Sequence, residues 1–427
     1  MSLTADLVQS VWEKPVREED LTTAAAYVLD ALACAVGGRF TRAGRILSDW
    51  ADERGSGLLT DASRVAGLVH VLEMDDLHRE SVTHPGCVVV PAAWAVATAY
   101  GKSGRELLTA VLRGYEVMAR IGASVGPDHY KIWHNTATCG PFGSAAAAGS
   151  LWGLDKERMV WALGNAGTQA SGLWQFLEEG AMSKHLHAAH AAEAGVTSAA
   201  LGRRGFSGPA RILEGDRGFY RAMCPDPDPG RLEADPEAPW ELVLTSIKPW
   251  PSCRHTHPAV DAGLELHSAV GDRPVGRIGI ETYDAALALC DRARPTSEYE
   301  AKFSLQYCVA VAVRSGQVDL RAFGEEERRV YVESPPEVEV FATQEFREAY
   351  PDRWGARVTV ELESGERVSA EREACLGDPE APLGSEGLWD KALGLLVHGS
   401  MSPDGARAFA HAVQALPEAP LVPPFPV

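Results

Sequence analysis

The sequence predicts a mainly α protein built as two units, and three observations carry that expectation. From about Thr22 to Gly205 the chain is rich in Ala, Leu and Gly, with helical spacing and little strand-like alternation. An acidic, Pro-rich stretch, CPDPDPGRLEADPEAPWE, then interrupts it, and alternating segments begin beyond. After GDPEAPLGSEGLWDKALGLL the chain returns to helix, which lets its end rejoin the first unit. A length of 427 residues also fits two cores better than one.

The elements follow in order. TTAAAYVLDALACAVGG has helical apolar spacing and stops on Gly37-Gly38. RELLTAVLRGYEVMARIG repeats the pattern. GPFGSAAAAGSLWGL is nearly all small residues, which suits a buried helix lying close to its neighbours. SKHLHAAHAAEAGVTSAALGRRG is a further helix closed at Gly205. Past the linker, GRIGIETYD and RRVYVES alternate and read as strands, and ARVTVELESGERVSAE reads as a hairpin turning at Ser364-Gly365. KFSLQYCVAVAVRSG between them reads as helix. The Pro-rich end, APLVPPFPV, cannot be helical.

Composition excludes several classes. A net charge of -19 disfavours nucleic acid or an anionic membrane as partner. No run reaches the ~18 apolar residues of a membrane-spanning helix, and the N-terminus lacks the pattern of a signal peptide, so a cytoplasmic location is expected. An anionic substrate would be repelled by the chain as a whole, and local Lys, Arg and His clusters must reverse the sign. The eight cysteines are scattered without a CxxC pair, which argues for reduced thiols and against a zinc ribbon.

Four stretches carry candidate chemistry. SIKPWPSCRHTHPAVDA holds Lys248, Cys253, Arg254, His255 and His257. It can be read as a metal site, a thiolate site, a solvated basic loop, or an anion site with cations before a helix that starts near His257-Pro258. The anion reading needs the fewest assumptions. LEMDDLHRESVTHPG places Glu73, Asp75, Asp76, His78 and His84 within twelve residues, a pattern suited to proton transfer or metal binding. Its bland counterpart is an exposed acidic helix end. In KIWHNTATCG, His134, Asn135 and Thr136 form a polar rim at a helix start, or merely a cap. In MSKHLHAAHAAEAG, His187 and His190 share a helix face, and Lys184 sits at a helix start, where a cation opposes the macrodipole and hints at an anion to hold. Gly122–Gly126, GASVG, matches a nucleophile elbow but follows a helix instead of a strand. No nucleotide-binding glycine motif is present.

Seven stretches in order then resemble the MmgE/PrpD family, which includes 2-methylcitrate dehydratase, cis-aconitate decarboxylase and iminodisuccinate epimerase. They are MDDLHRESVTHPG, HNTATCGPFGSAAAA, ALGNAGTQASGL, MSKHLHAAHAAEAG, KPWPSCRHTHPAVDA, AKFSLQYCVAVAV and GDPEAPLGSEGLWDKALGLL. The resemblance implies a large all-helical domain from both chain ends (1–243 and 383–427) with an inserted, smaller α+β lid domain (244–382). It also implies a homodimer, a small di- or tricarboxylate substrate held between the domains, and neither metal nor organic cofactor. The implied catalytic residues are Asp75, Asp76, His84, His134, Lys184, Lys248 and Tyr307. Glu73, Asn135, Cys253, Arg254 and His257 are expected to line the substrate. Dehydration of a hydroxy-polycarboxylate is the leading expectation, with epimerisation or carboxylate binding without catalysis as alternatives. Leu77 stands where many relatives carry Thr, and Cys253 where the decarboxylases carry His. Both departures remove polar groups and argue against decarboxylation.

Overall fold

The computed structural model describes residues 2–425. The chain divides into two compact units, Met1–Ile247 with Gly384–Val427, and Lys248–Leu383.

Unit 1 is helical and is organised around the Asn135–Leu151 helix, whose small side chains are almost all buried. The Ser183–Arg203, Gly104–Ser124 and Gly86–Ala99 helices pack on it. Small residues set how closely they approach. A Cβ added to Gly195 would lie 1.8 Å from Ser144 Oγ and 2.5 Å from the Pro141 carbonyl oxygen. Ser144 Oγ in turn donates to the Ala191 carbonyl at 2.8 Å. The Gly104–Ser124 helix begins with a reciprocal cap, Ser103 Oγ accepting from Glu106 N–H while the Glu106 carboxylate accepts from Ser103 N–H.

The Glu18–Gly38 helix ends on the glycine pair that the spacing predicts. Its length and mean hydropathy of 1.5 would suit a membrane span, yet 78% of that window is buried inside the protein. It is a core helix, with Glu18, Glu19 and Asp20 complementing the dipole in its first turn. A Cβ on Gly38 would lie 2.6 Å from the Leu68 carbonyl oxygen, and one on Gly37 would lie 3.1 Å from Leu395. The Leu58–His70 and Gly384–His398 helices therefore both rest directly on this helix, and the second of them comes from the far end of the chain.

One detail departs from an all-helical expectation. The strands Leu77–His78 (β1) and Thr245–Ser246 (β2) pair antiparallel, Leu77 opposite Ser246 and His78 opposite Thr245. GASVG lies at the end of the Gly104–Ser124 helix, as its context predicts. A Cβ on Gly122 would lie 2.7 Å from Ser81 Cβ, so this glycine admits the loop that follows β1.

Unit 2 holds a four-stranded sheet of Val275–Thr282 (β3), Glu337–Ala342 (β4), Ala356–Leu362 (β5) and Arg367–Arg372 (β6), in the order β4-β3-β5-β6. β3 and β4 are parallel and the other pairs antiparallel. Along β5 every second residue is buried, and the His257–Val270 helix covers β5 and β6. The hairpin turns where expected, with Gly365 at φ 86°.

One strand expectation fails. RRVYVES lies in the Glu325–Glu333 helix and its end. Three glutamates occupy the first turn of that helix, Tyr331 is its buried residue, and Val330 and Val332 are exposed. The alternation therefore carried no burial, and the dipole-matched helix prevails. The strand follows instead, as β4.

Candidate active site in the helical unit

The loop between the Leu58–His70 and Gly86–Ala99 helices carries most of the acidic and imidazole groups, and it is buried. Glu73, Asp75, Asp76 and His84 are 1%, 0%, 2% and 8% exposed, which excludes a solvated acidic helix end. Two residues in the loop adopt left-handed backbone, Glu73 at φ 59° and the β-branched Val82 at φ 48°. Such conformations cost on the order of 1–3 kcal/mol each and persist only where surroundings impose them. The surroundings are visible. His84 N–H donates to Thr136 Oγ1 at 3.0 Å, and Asn135 Nδ2 donates to the Ser81 carbonyl at 2.8 Å. The start of the Asn135–Leu151 helix thus grips both sides of Val82.

Asp75 is the centre of the cluster. Its Oδ2 accepts from His70 Nδ1 at 2.6 Å and faces His84 Nδ1 at 3.3 Å. Burial pushes its pKa up, but the two imidazoles, by charge and by hydrogen bonding, outweigh burial and hold it well below the usual range. Asp76, next in sequence, goes the other way. Burial raises it to about 7, reinforced by Asp75 and Asp30 and opposed by its bonds to Tyr115 and Gly86. Tyr115 Oη donates to its Oδ2 at 2.7 Å and Gly86 N–H to its Oδ1 at 2.9 Å. Adjacent carboxyls with opposite shifts are what an acid/base site requires.

Around this pair the structure assembles further groups. Lys184 Nζ lies 2.6 Å from both oxygens of Glu73, so the anion that this lysine holds at its helix start is Glu73. His134 caps the Asn135–Leu151 helix, its N–H bound to the Gly172 carbonyl. Its ring stacks near His70 with centroids 5.8 Å apart and meets Trp174 at 4.8 Å. Burial first, then His70 and Lys184, lowers its pKa well below the usual value. His187 Nδ1 lies 3.3 Å from His134 Nδ1, and burial lowers its pKa to about 4. His190, on the same helix, is exposed. The Nε2 atoms of His70 and His134 are buried and make no hydrogen bond among the described residues. Ligand atoms of His70, Asp75 and His84 all fall within 4.8 Å of one another, so these three could also hold a metal ion.

His70, absent from the sequence-based expectations, is the main addition. It interrupts the apolar run GLVHVL, five residues before Asp75, and only that His-to-Asp spacing could have suggested it.

The remaining candidates belong to unit 2. Lys248 opens the unit and is buried, as are Cys253, Arg254, His255 and His257, so this segment is not a solvated basic loop. Arg254 places its guanidinium on both oxygens of Asp378. His255 stacks on Trp354 at 4.3 Å and bonds Tyr283 Oη at 2.8 Å, and burial with Arg254 lowers its pKa to about 3. His257 Nε2 lies 3.2 Å from the Ser252 carbonyl oxygen. Cys253 N–H donates to the Lys302 carbonyl at 2.8 Å. Tyr307 Oη donates to the Ala322 carbonyl at 2.5 Å.

Comparison with known proteins gives the family. The MmgE/PrpD N-terminal domain matches residues 3–232 and the MmgE/PrpD C-terminal domain residues 250–418. The cis-aconitate decarboxylase of Aspergillus terreus is 26% identical over 354 residues, covering 76% of this chain and 72% of the relative. The enzyme of that name from Homo sapiens is 27% identical over 354 residues, covering 78% and 71%. That from Mus musculus is 26% identical over 363 residues, covering 78% and 70%. With both domain families matched in order over most of its length, this chain belongs to the MmgE/PrpD family.

Proposed function

We propose that the protein is a lyase that moves a proton at the carbon beside a carboxylate of a small polycarboxylate, dehydrating a hydroxy di- or tricarboxylate. Lyase chemistry on small carboxylates is supported by the family and by the relatives' names. The observation that carries the proton-transfer reading is Asp75, one buried carboxylate shared by His70 and His84.

In this reading Asp75 holds His84 by its Nδ1, leaving Nε2 to take the proton, as an orienting carboxylate does for a catalytic imidazole. His134, kept neutral by burial, offers its Nε2 to the opposite side of the substrate or to the leaving hydroxyl. Proton removal beside a carboxylate builds enolate charge, and fixed cations lower its energy. Lys184 and Lys248 take that task, with Tyr307 and Asp76 as proton partners. Arg254, engaged by Asp378, and His257 maintain the shape of their own segment. The reading includes a homodimer, a cytoplasmic setting and no metal or organic cofactor. Stoichiometric zinc or iron in the purified protein would replace it with a metal-assisted one centred on His70, Asp75 and His84.

Decarboxylation is the second reading, favoured by the relatives' names and opposed by Leu77 and Cys253. Incubation with hydroxy-polycarboxylates and with cis-aconitate in D2O separates the outcomes. Loss of water supports dehydration, and release of CO2 supports decarboxylation. Deuterium uptake without either means epimerisation, and binding without exchange or turnover sinks the enzymatic assignment. Within the leading reading, Lys248→Ala abolishes turnover with little change in melting temperature. A large loss of stability with activity kept in the folded fraction would make that lysine structural.

A further inference from the structure

The loop that carries Asp75 is held from below by a charged pair that the proposed mechanism does not use. Lys391 lies on the Gly384–His398 helix, and Asp30 lies in the middle of the Glu18–Gly38 helix. Lys391 Nζ is 2.5 Å from Asp30 Oδ1 and donates to the Met74 carbonyl at 2.7 Å. Both side chains are buried, 4% and 2% exposed. The Met74 carbonyl belongs to the peptide that leads into Asp75, and the residue before it, Glu73, is the one in left-handed backbone.

A buried lysine is costly, and a pair of apolar side chains of similar size would stabilise unit 1 at least as well. What leucine or methionine cannot do is donate a hydrogen bond to a carbonyl. Left-handed backbone at Glu73 turns the following peptide out of helical register, and a buried carbonyl without a donor costs ~1–3 kcal/mol. The donor comes from a helix more than three hundred residues away in the chain, docked where Gly37 admits Leu395.

We propose that Lys391, held by Asp30, is a positioning residue that fixes the Met74–Asp75 peptide and so sets the direction in which Asp75 meets His70 and His84. It touches no reacting atom. Its action is confined to the geometry of the Asp75 carboxylate, and the inference rests on reading Asp75 and His84 as reacting groups. The surroundings support an electrostatic side to the same role. Burial alone would lower the Lys391 pKa, but Asp30, with smaller contributions from Cys34 and Asp75, raises it, so the ammonium stays charged. Asp30 is also among the groups that raise Asp76.

The test pairs two variants. Lys391→Met combined with Asp30→Leu removes the clamp without leaving a buried charge, whereas Lys391→Arg keeps a cation and a donor. The double variant is expected to melt within a few degrees of wild type, to lose at least tenfold in kcat, and to keep KM within about threefold. Lys391→Arg is expected to restore most of the kcat. Proton NMR of the imidazole N–H groups of His70 and His84, which bond Asp75, gives a readout independent of turnover. These resonances are expected to shift or broaden in the double variant and to return in Lys391→Arg. A folded double variant with kcat within twofold of wild type and unmoved resonances overturns the proposal. If the double variant does not fold, Lys391→Met alone is judged by the same two readouts on its folded fraction. Absence of turnover in the wild type would sink the functional reading, while the resonances would still decide the clamp.

Discussion

Two of the buried charge clusters of unit 1 meet in one short loop, and their difference separates chemistry from scaffolding. One is Asp75 with His70 and His84. The other joins Lys14, Glu116, Arg120, Glu241 and His78. Glu116 Oε1 accepts from Lys14 Nζ at 2.8 Å and Arg120 Nε at 2.9 Å, and its Oε2 accepts from Glu241 N–H at 2.8 Å. Arg120 reaches Glu241 at 3.0 Å, and His78 Nε2 donates to Glu241 at 3.0 Å. In this second cluster two permanent cations, Lys14 and Arg120, neutralise the carboxylates. In the first, a single carboxylate faces two imidazoles. Buried charge by itself is therefore a poor marker of a site, and the kind of partner decides.

The comparison can be broken experimentally, and the largest effect should come from the first cluster. His84→Ala is expected to lower kcat/KM by about 10²–10⁴-fold, the usual contribution of one positioned acid or base, with little change in melting temperature. Steady-state kinetics beside thermal melts checks this, and full activity would move the chemistry elsewhere. Glu116→Gln should invert the pattern. It leaves Lys14 and Arg120 without their shared carboxylate and is expected to cost about 3–5 kcal/mol of stability, with kcat per folded molecule unchanged in denaturant-controlled assays.

A subtler contrast lies in Asp76. Its folded pKa of about 7 stands above the ordinary 3.8, so the native state binds the extra proton between those values. Its stabilising contribution is present below pH ~4 and is lost as pH rises toward 7. Asp76→Asn stays neutral, and its stability relative to wild type should grow from pH 4 to 7 and level off above. Denaturant midpoints across that range measure it, and a flat difference would mean that Asp76 is ionised throughout. The smallest effect is expected far from both clusters. Ser103→Ala removes the cap of the Gly104–Ser124 helix and should cost about 1 kcal/mol by chemical denaturation, with activity unchanged.

These contrasts also explain what was readable from the sequence. The helices of unit 1 and the hairpin of unit 2 were legible because their periodicity coincides with burial. RRVYVES misled because its alternation did not. Glu73, Asp75, Asp76 and His84 stood out because they are crowded into one short stretch, and Lys184 because a cation opposes its helix dipole. His70, Asp30 and Lys391 could not stand out. Each is a single polar residue whose meaning lies in a neighbour from outside its own helical run, and nothing in its local sequence names that neighbour. Arg254 showed the reverse problem, since its cation was visible in the sequence but its partner Asp378, 124 residues away, was not.

The two-residue pairing of β1 with β2 has a mechanical consequence. Leu77 and His78 lie within the Asp75 loop, and Thr245 and Ser246 come just before Ile247, where the chain leaves unit 1. Tension along the departing chain would reach that loop through this ladder, with Tyr27 Oη, which donates to the Thr245 carbonyl at 2.5 Å, sharing the load. A slip of one residue in so short a ladder would turn His78 to the opposite face and release Glu241. The ladder therefore couples the exit of the unit to the loop that carries its central carboxylate.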